Sequence, residues 1–116
     1  MKRRFRLTQS TDIKRVRHLG KSYAHPLIVL VVLSNEQQGS RIGIVAGRSI
    51  GGAVQRNRAK RLLRAALQPL LPAINPGWDL LLIARQRMGG AVYSETQKAL
   101  TTLLQRARIY QEMNGQ

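Results

Sequence analysis

Between Arg56 and Arg64, nine residues carry five cations, Arg56, Arg58, Lys60, Arg61 and Arg64, and no acid. Guanidinium groups fork onto phosphate oxygens through paired N–H donors, so this run is suited to gripping a polyanion. Bond-breaking chemistry would need other residues, and the chain offers few. His18 and His25 are its only histidines, and the two lie across a helix end from each other. The five acids, Asp12, Glu36, Asp79, Glu95 and Glu112, are scattered. Metal-dependent phosphodiester cleavage wants clustered carboxylates around one or two ions. There is no cysteine, which removes thiolate ligands and disulfides. No catalytic residue and no metal ligand is therefore expected in the protein. Asp12 and Glu95 read as helix-start acids, and Asp79 as the partner of a nearby Arg.

The cations need a rigid element beneath them. With Arg56 at zero and about 100° per residue, Ala59, Leu62, Leu63, Ala66, Leu67 and Leu70 fall in one arc. Asn57, Lys60, Arg61 and Arg64 occupy the opposite arc, with Arg56 and Arg58 at its margins. This predicts a helix from about Val54 to Leu70, ended by Pro72 and Pro76, with one face on a core and one in solvent. An ordinary solvated face mixes signs, because opposite charges at i,i+4 stabilise a helix and like charges oppose it. Here Arg56 with Lys60 and Lys60 with Arg64 are like pairs, and no acid lies between Glu36 and Asp79. The arrangement costs helix stability and is explained by an anionic partner.

Around this helix the chain reads as one domain, 1–116, without repeats or linkers, in which the ends 1–6 and 110–116 read as flexible. Ser10-Thr11-Asp12 opens a first helix that runs to Gly20 as a C-cap. Leu27 to Leu33 is an unbroken apolar run and reads as a central strand. Arg41 to Ala46 reads as a second strand, and the loop Ser34 to Ser40 predicts an antiparallel hairpin between the two. Trp78 to Ala84 is a further buried strand, with Trp78 itself in the core. Ser94-Glu95-Thr96-Gln97 predicts a capping box opening a last helix, with Leu100, Leu103, Leu104 and Ala107 on one face. The order is helix, strand, strand, helix, strand, helix, with room for one more short strand before the second helix. That is an α/β (α+β) two-layer sandwich built on a small mixed sheet.

Twenty Lys and Arg against five acids give a formal charge of +15 on 116 residues. A domain this basic repels itself, and a nucleic acid relieves the repulsion through counterion release. An acidic membrane surface is the lesser alternative. The N-terminus starts like a signal peptide but lacks an apolar stretch, and Leu27 to Leu33 is too short to span a bilayer. A soluble, cytoplasmic protein is expected. Gly47, Gly51 and Gly52 match no phosphate-loop or dinucleotide fingerprint and read as a strand-to-helix turn. The helix start beyond them still offers unpaired amides to a phosphate. Among the aromatics, Trp78 and Tyr93 are the best placed after Tyr23, and Trp78 opens a buried strand.

Arg56-Asn57-Arg58, followed by Lys60-Arg61 and Arg64, resembles the RNR signature of the protein component of bacterial ribonuclease P. Other pieces fall in that family's order: Arg6-Leu7, Asp12-Ile13 with Val16, Gly20-Lys21-Ser22, Arg41-Ile42-Gly43, Gly51 with Ala53-Val54, and Trp78 to Arg85. The resemblance covers residues 5 to 108. It implies a subunit of a ribonucleoprotein endonuclease that removes the 5′ leader of precursor tRNA, with a large RNA performing the hydrolysis. It implies that Arg56, Asn57, Arg58, Lys60, Arg61 and Arg64 lie against the catalytic RNA. A cleft between the sheet and the first helix, at Ile13, Arg17, Val29, Val31, Arg48 and Ser49, would receive the single-stranded leader. The divalent metal, magnesium, would be needed by the RNA and not bound by protein residues alone, and no obligate protein partner is implied. The family fold also implies a left-handed βαβ crossover.

The chain departs from the family's pattern at three places. Ile13 and Arg17 stand where aromatics are common, Val31 stands where another often lies, and Ser49 replaces a second basic residue beside Arg48. Aromatic platforms are the usual grip on single-stranded RNA, and the plane of Arg17 can substitute for one. The competing reading is a plain RNA-binding module, such as a ribosomal or assembly protein.

Overall fold

The computed structural model describes residues 6–36 and 39–111. In chain order the elements are α1 (Ser10–Leu19), β1 (Lys21–Ala24), β2 (Ile28–Ser34), β3 (Arg41–Ala46), α2 (Ala53–Leu67), β4 (Trp78–Ala84) and α3 (Tyr93–Arg106). One four-stranded mixed sheet runs β1-β2-β4-β3. β1 and β2 form the hairpin, and β2 pairs antiparallel to β4 along its whole length. β3 pairs parallel to β4.

The expected hairpin between β2 and β3 does not form, because β4 lies between them. Leu80 to Leu82 is apolar at every position and buried on both faces, which suits an interior slot. β3 contains Gly43 and takes the rim. The end of β2 and the start of β3 lie two strand spacings apart, about 10 Å. Asn35 and Ser40 are pinned to the chain entering β4: Asn35 N donates to Gly77 O at 2.8 Å, and Ser40 Oγ to Asn75 O at 2.9 Å.

α2 and α3 cover one face of the sheet, burying Leu63, Leu67, Leu100, Leu103 and Leu104 against Ile28, Leu30, Ile42, Leu80 and Leu82. α1 covers part of the other, with Val16 on Val31 and Leu81. Gly20 closes α1 with φ −77°, a backbone open to any residue. Its requirement is space: an added Cβ would lie 2.6 Å from Val16 O and 2.7 Å from Val31 Cγ1.

The β3–α2–β4 connection is left-handed. The Ile42 carbonyl accepts from Leu7 N at 2.8 Å on the rim away from β4, while its side chain enters the α2–α3 layer. For an L-residue these two directions fix the hand. Seen from the helix layer with β3 running upward, β4 lies to the left, against the general right-handed preference.

Three boundaries differ from the sequence reading. α2 stops at Leu67 and tightens into a 3-10 segment, Gln68–Ala73, because Pro69 and Pro72 lack donors. α3 begins at Tyr93, so Val92 rather than Ser94 is its cap; Val92 N donates to Glu95 Oε1 at 3.1 Å. Valine has no side-chain acceptor, so only the Glu95 half of a capping box exists. At the ends, Arg6 bridges Ile42 and Tyr110 bridges Ile74, while Gln111 N donates to Ala73 O at 2.7 Å. The remainder of 1–6 and 110–116 lies outside the described residues.

Candidate nucleic-acid interface

Gly51, at φ +136°, turns the chain from the 3-10 turn Arg48–Ile50 into α2, and Gly52 caps the helix without a side chain. Ala59, Leu63, Ala66 and Leu67 anchor the helix inward. Asn57, Arg58, Arg61 and Arg64 are exposed, and Arg56 and Lys60 are half-buried. Arg56 Nη1 donates to Gly51 O at 3.1 Å, and Arg58 Nη2 to Ala91 O at 3.3 Å. Both acceptors are neutral carbonyls. Among the described residues every ion pair involves Asp12 or Asp79 with Arg15 or Arg41. Among the described residues the helix therefore presents its charge to solvent without a carboxylate counter-ion.

Lys60 and Arg64 also border a cleft of 360 Å³ that wraps the rim of β3, with Leu7, Thr8, Ile13 and Val45 opposite. On the sheet face beneath α1, register places the side chains in three rows. Leu33, Asp79 and Arg41 form the first. Val31, Leu81 and Gly43 form the second, which is covered: Val31 is 1% exposed, and a Cβ on Gly43 would meet Leu7 O at 2.9 Å. Val29, Ile83 and Val45 form the third, and all three are half-buried. Ile13 packs on the same small cluster.

This corrects the expected lining. Val31 has no surface to offer, because Gly20 and Val16 seal it. Val29 is half-buried in the third row, in register with Ile83 and Val45, which the sequence reading did not single out. Their alternation with covered neighbours is a signal, but reading it requires the order β2-β4-β3. Arg17 is exposed one turn after Ile13 on α1. Arg48 and Ser49 are exposed in the turn after β3, outside the apolar cluster that joins Ile13 and Val29.

The first row holds the one buried carboxylate among the described residues. Asp79 accepts from Arg41 Nη2 at 2.8 Å and Nε at 3.0 Å, from Asn35 Nδ2 at 2.8 Å and from Arg15 Nη2 at 3.0 Å. Burial pushes the carboxyl upward, and hydrogen bonds from Arg41, Asn35 and Arg15 outweigh it, so it ionises below the ordinary Asp range. Arg15 and Arg41 also reach Asp12 at 3.5 Å, tying α1 to the sheet. His25 Nδ1 accepts from Leu27 N at 3.1 Å within the β1–β2 turn, and His18 is exposed on α1. No cluster of three or more His, Asp or Glu capable of holding a metal exists among the described residues. No helix among them is long and apolar enough to cross a membrane. Trp78 is half-buried against the main core.

A mixed four-stranded sheet, a left-handed crossover and a cationic helix that meets no carboxylate among the described residues define a small basic α+β protein suited to holding a polyanion. The chain belongs to the ribonuclease P protein family: the family model Ribonuclease P matches residues 1–108. It is 39% identical over 112 residues to the ribonuclease P protein component of Herpetosiphon aurantiacus, covering 97% of this chain and 91% of that one. It is 37% identical to that of Roseiflexus castenholzii, covering 96% and 92%. Its fold is similar to the RNase P protein of Staphylococcus aureus, with a TM-score of 0.83 and 28% identity over 91% of this chain and 97% of that one. The RNase P protein of Thermotoga maritima gives 0.78 and 28%, over 87% and 96%.

Proposed function

We propose that this chain is the protein subunit of a ribonuclease P ribonucleoprotein that removes the 5′ leader of precursor tRNA. Arg56, Asn57, Arg58, Lys60, Arg61 and Arg64 grip the catalytic RNA. The single-stranded leader lies along Ile13, Arg17, Val29, Ile83 and Val45, with Arg48 and Ser49 beyond the end of β3. The RNA performs the hydrolysis, and magnesium held by the RNA supplies the metal chemistry. The protein raises substrate affinity and neutralises phosphate repulsion between two RNAs, acting in the cytoplasm.

The observation that carries this reading is the α2 face, whose cations meet no carboxylate among the described residues. Membership of the family supports the choice of RNA partner. Reconstitution tests it. Mixed with a bacterial ribonuclease P RNA at low magnesium, the protein is expected to restore cleavage of a precursor tRNA at its 5′ leader. Cleavage unchanged by the protein would reject the reading in favour of a ribosomal or assembly role.

A further inference from the structure

Four large hydrophobic side chains are strongly exposed among the described residues: Leu19, Val54, Val92 and Tyr93. Three of them stand at the start of α2 or α3. Arg58, on the cationic helix, donates to Ala91 O, so Val92 and Tyr93 follow directly from the point where that cation touches the neighbouring chain. Val54 lies one helical turn before Arg58. Val54 is separated from the Tyr93 ring by most of the length of α2, so the exposed ledge that borders the charged face on the side away from the β3 cleft is Val92 with Tyr93.

The ring of Tyr93 is held in place by its hydroxyl. Tyr93 Oη donates to Ala65 O at 3.4 Å and accepts from Gln97 Nε2 at 3.2 Å. Ala65 O is open to it because the residue four positions on is Pro69, which has no N–H to close the helical bond. Ala65 lies one turn beyond Arg61 and two beyond Arg58, on the same side of α2. Tying the end of α2 to α3 accounts for the hydroxyl. It does not account for a ring left 43% exposed, or for Val92 at 53% next to it in the chain.

We propose that Tyr93 is a stacking platform for an unpaired base of the RNA held by α2, with Val92 flanking the base. The inference rests on the RNA-binding reading of α2 and adds a contact of different physics. Cations hold phosphates and respond to salt, whereas a ring holds a base face and does not. Arg58 and Arg61 supply the phosphate contacts on either side of a base so held. Unpaired bases in loops and bulges are the part of a folded RNA open to this contact.

The test compares full-length Tyr93→Phe, Tyr93→Leu and Arg61→Ala with the parent protein, binding a bacterial ribonuclease P RNA across a salt series. Tyr93→Phe keeps the ring and is expected to bind like the parent, even though losing the Oη bonds lowers its melting temperature. Tyr93→Leu keeps apolar bulk without a π face and is expected to bind roughly tenfold more weakly, with an unchanged salt slope. Arg61→Ala is expected to reduce the slope by about one. Parent-like binding by Tyr93→Leu overturns the proposal, and so does an equal loss in Tyr93→Phe, which would make the hydroxyl tie the whole role. Parent binding that ignores salt overturns the α2 reading itself, and this one with it.

Discussion

Asp79 and Arg41 stand side by side in the parallel register of β4 and β3, and the guanidinium closes on the buried carboxylate with two bonds, of 2.8 and 3.0 Å. Arg15 joins from α1 at 3.0 Å, so the pair fastens the first helix to the sheet. Replacing Asp79 with Ala leaves Arg15 and Arg41 with only their longer contacts to Asp12, at 3.5 Å. The cost is expected at about 2–3 kcal/mol, below that of a fully buried pair because both cations keep some solvent. Denaturant unfolding of Asp79→Ala against the parent measures it; a change within 0.5 kcal/mol, about the size of a surface substitution, would contradict the anchoring role.

The same carboxylate predicts an acid response. Its folded value is lowered, so its contribution to stability is present above the ordinary Asp value of about 3.9 and is lost as pH falls toward the lower folded value. Asp79→Asn removes that titration. The variant is expected to show a flatter stability profile below about pH 4 and a lower plateau at neutral pH. Parallel profiles for the two proteins would show that Asp79 is not the group responsible.

Contacts between α2 and RNA phosphates should appear in the salt dependence. About six such contacts predict a slope of roughly −4 to −5 for log affinity against log salt. Arg58→Ala and Arg64→Ala are each expected to make the slope shallower by about one. A slope near zero in the parent would remove the electrostatic grip.

The two faces predict a division of labour. Ile83→Asp, on the open row of the sheet, is expected to weaken binding of leader-bearing precursor tRNA by about tenfold while mature tRNA is little affected, the loss being one of apolar and stacking contacts. Arg17→Ala should fall in the same class. Equal losses for both substrates would break the assignment of this face to the leader.

Gly20 gives a purely steric prediction. An alanine there brings Cβ against Val16 O and Val32 O, two backbone atoms, so α1 must lift from β2. Gly20→Ala is expected to cost about 1–3 kcal/mol, the range for overpacking a filled site. Calorimetry of the variant checks this, since a gain in stability, as at a free C-cap, would refute the close approach.

Much of this was legible in the residues. The apolar arc of α2 predicted Ala59, Leu63, Ala66 and Leu67 as its buried side, and the opposite arc its cations. The continuous apolar runs of β2 and β4 read as interior strands. Their partners did not, because an apolar run marks burial on both faces without naming a neighbour. Hence the 34–40 loop looked like a hairpin, and the placement of Asp79 opposite Arg41 emerged only with the register. β1, at four residues with only Tyr23 half-buried, carries too little pattern to stand alone. Val31 looked like a contact residue by resemblance, and the tight seat of α1 on Gly20 is what hides it.

The hand of the β3–α2–β4 unit puts α2 on the opposite side of the sheet from α1, yet both elements meet at the β3 border. Lys60 and Arg64 look over that border from one side, and Ile13 and Leu7 from the other. A polymer passing from the charged helix to the Val29–Ile83–Val45 row turns a corner only about 10 Å deep, the separation of packed layers. On the proposed reading, two strands of RNA gripped at these places would be held at a spacing dictated by the peptide layers between them.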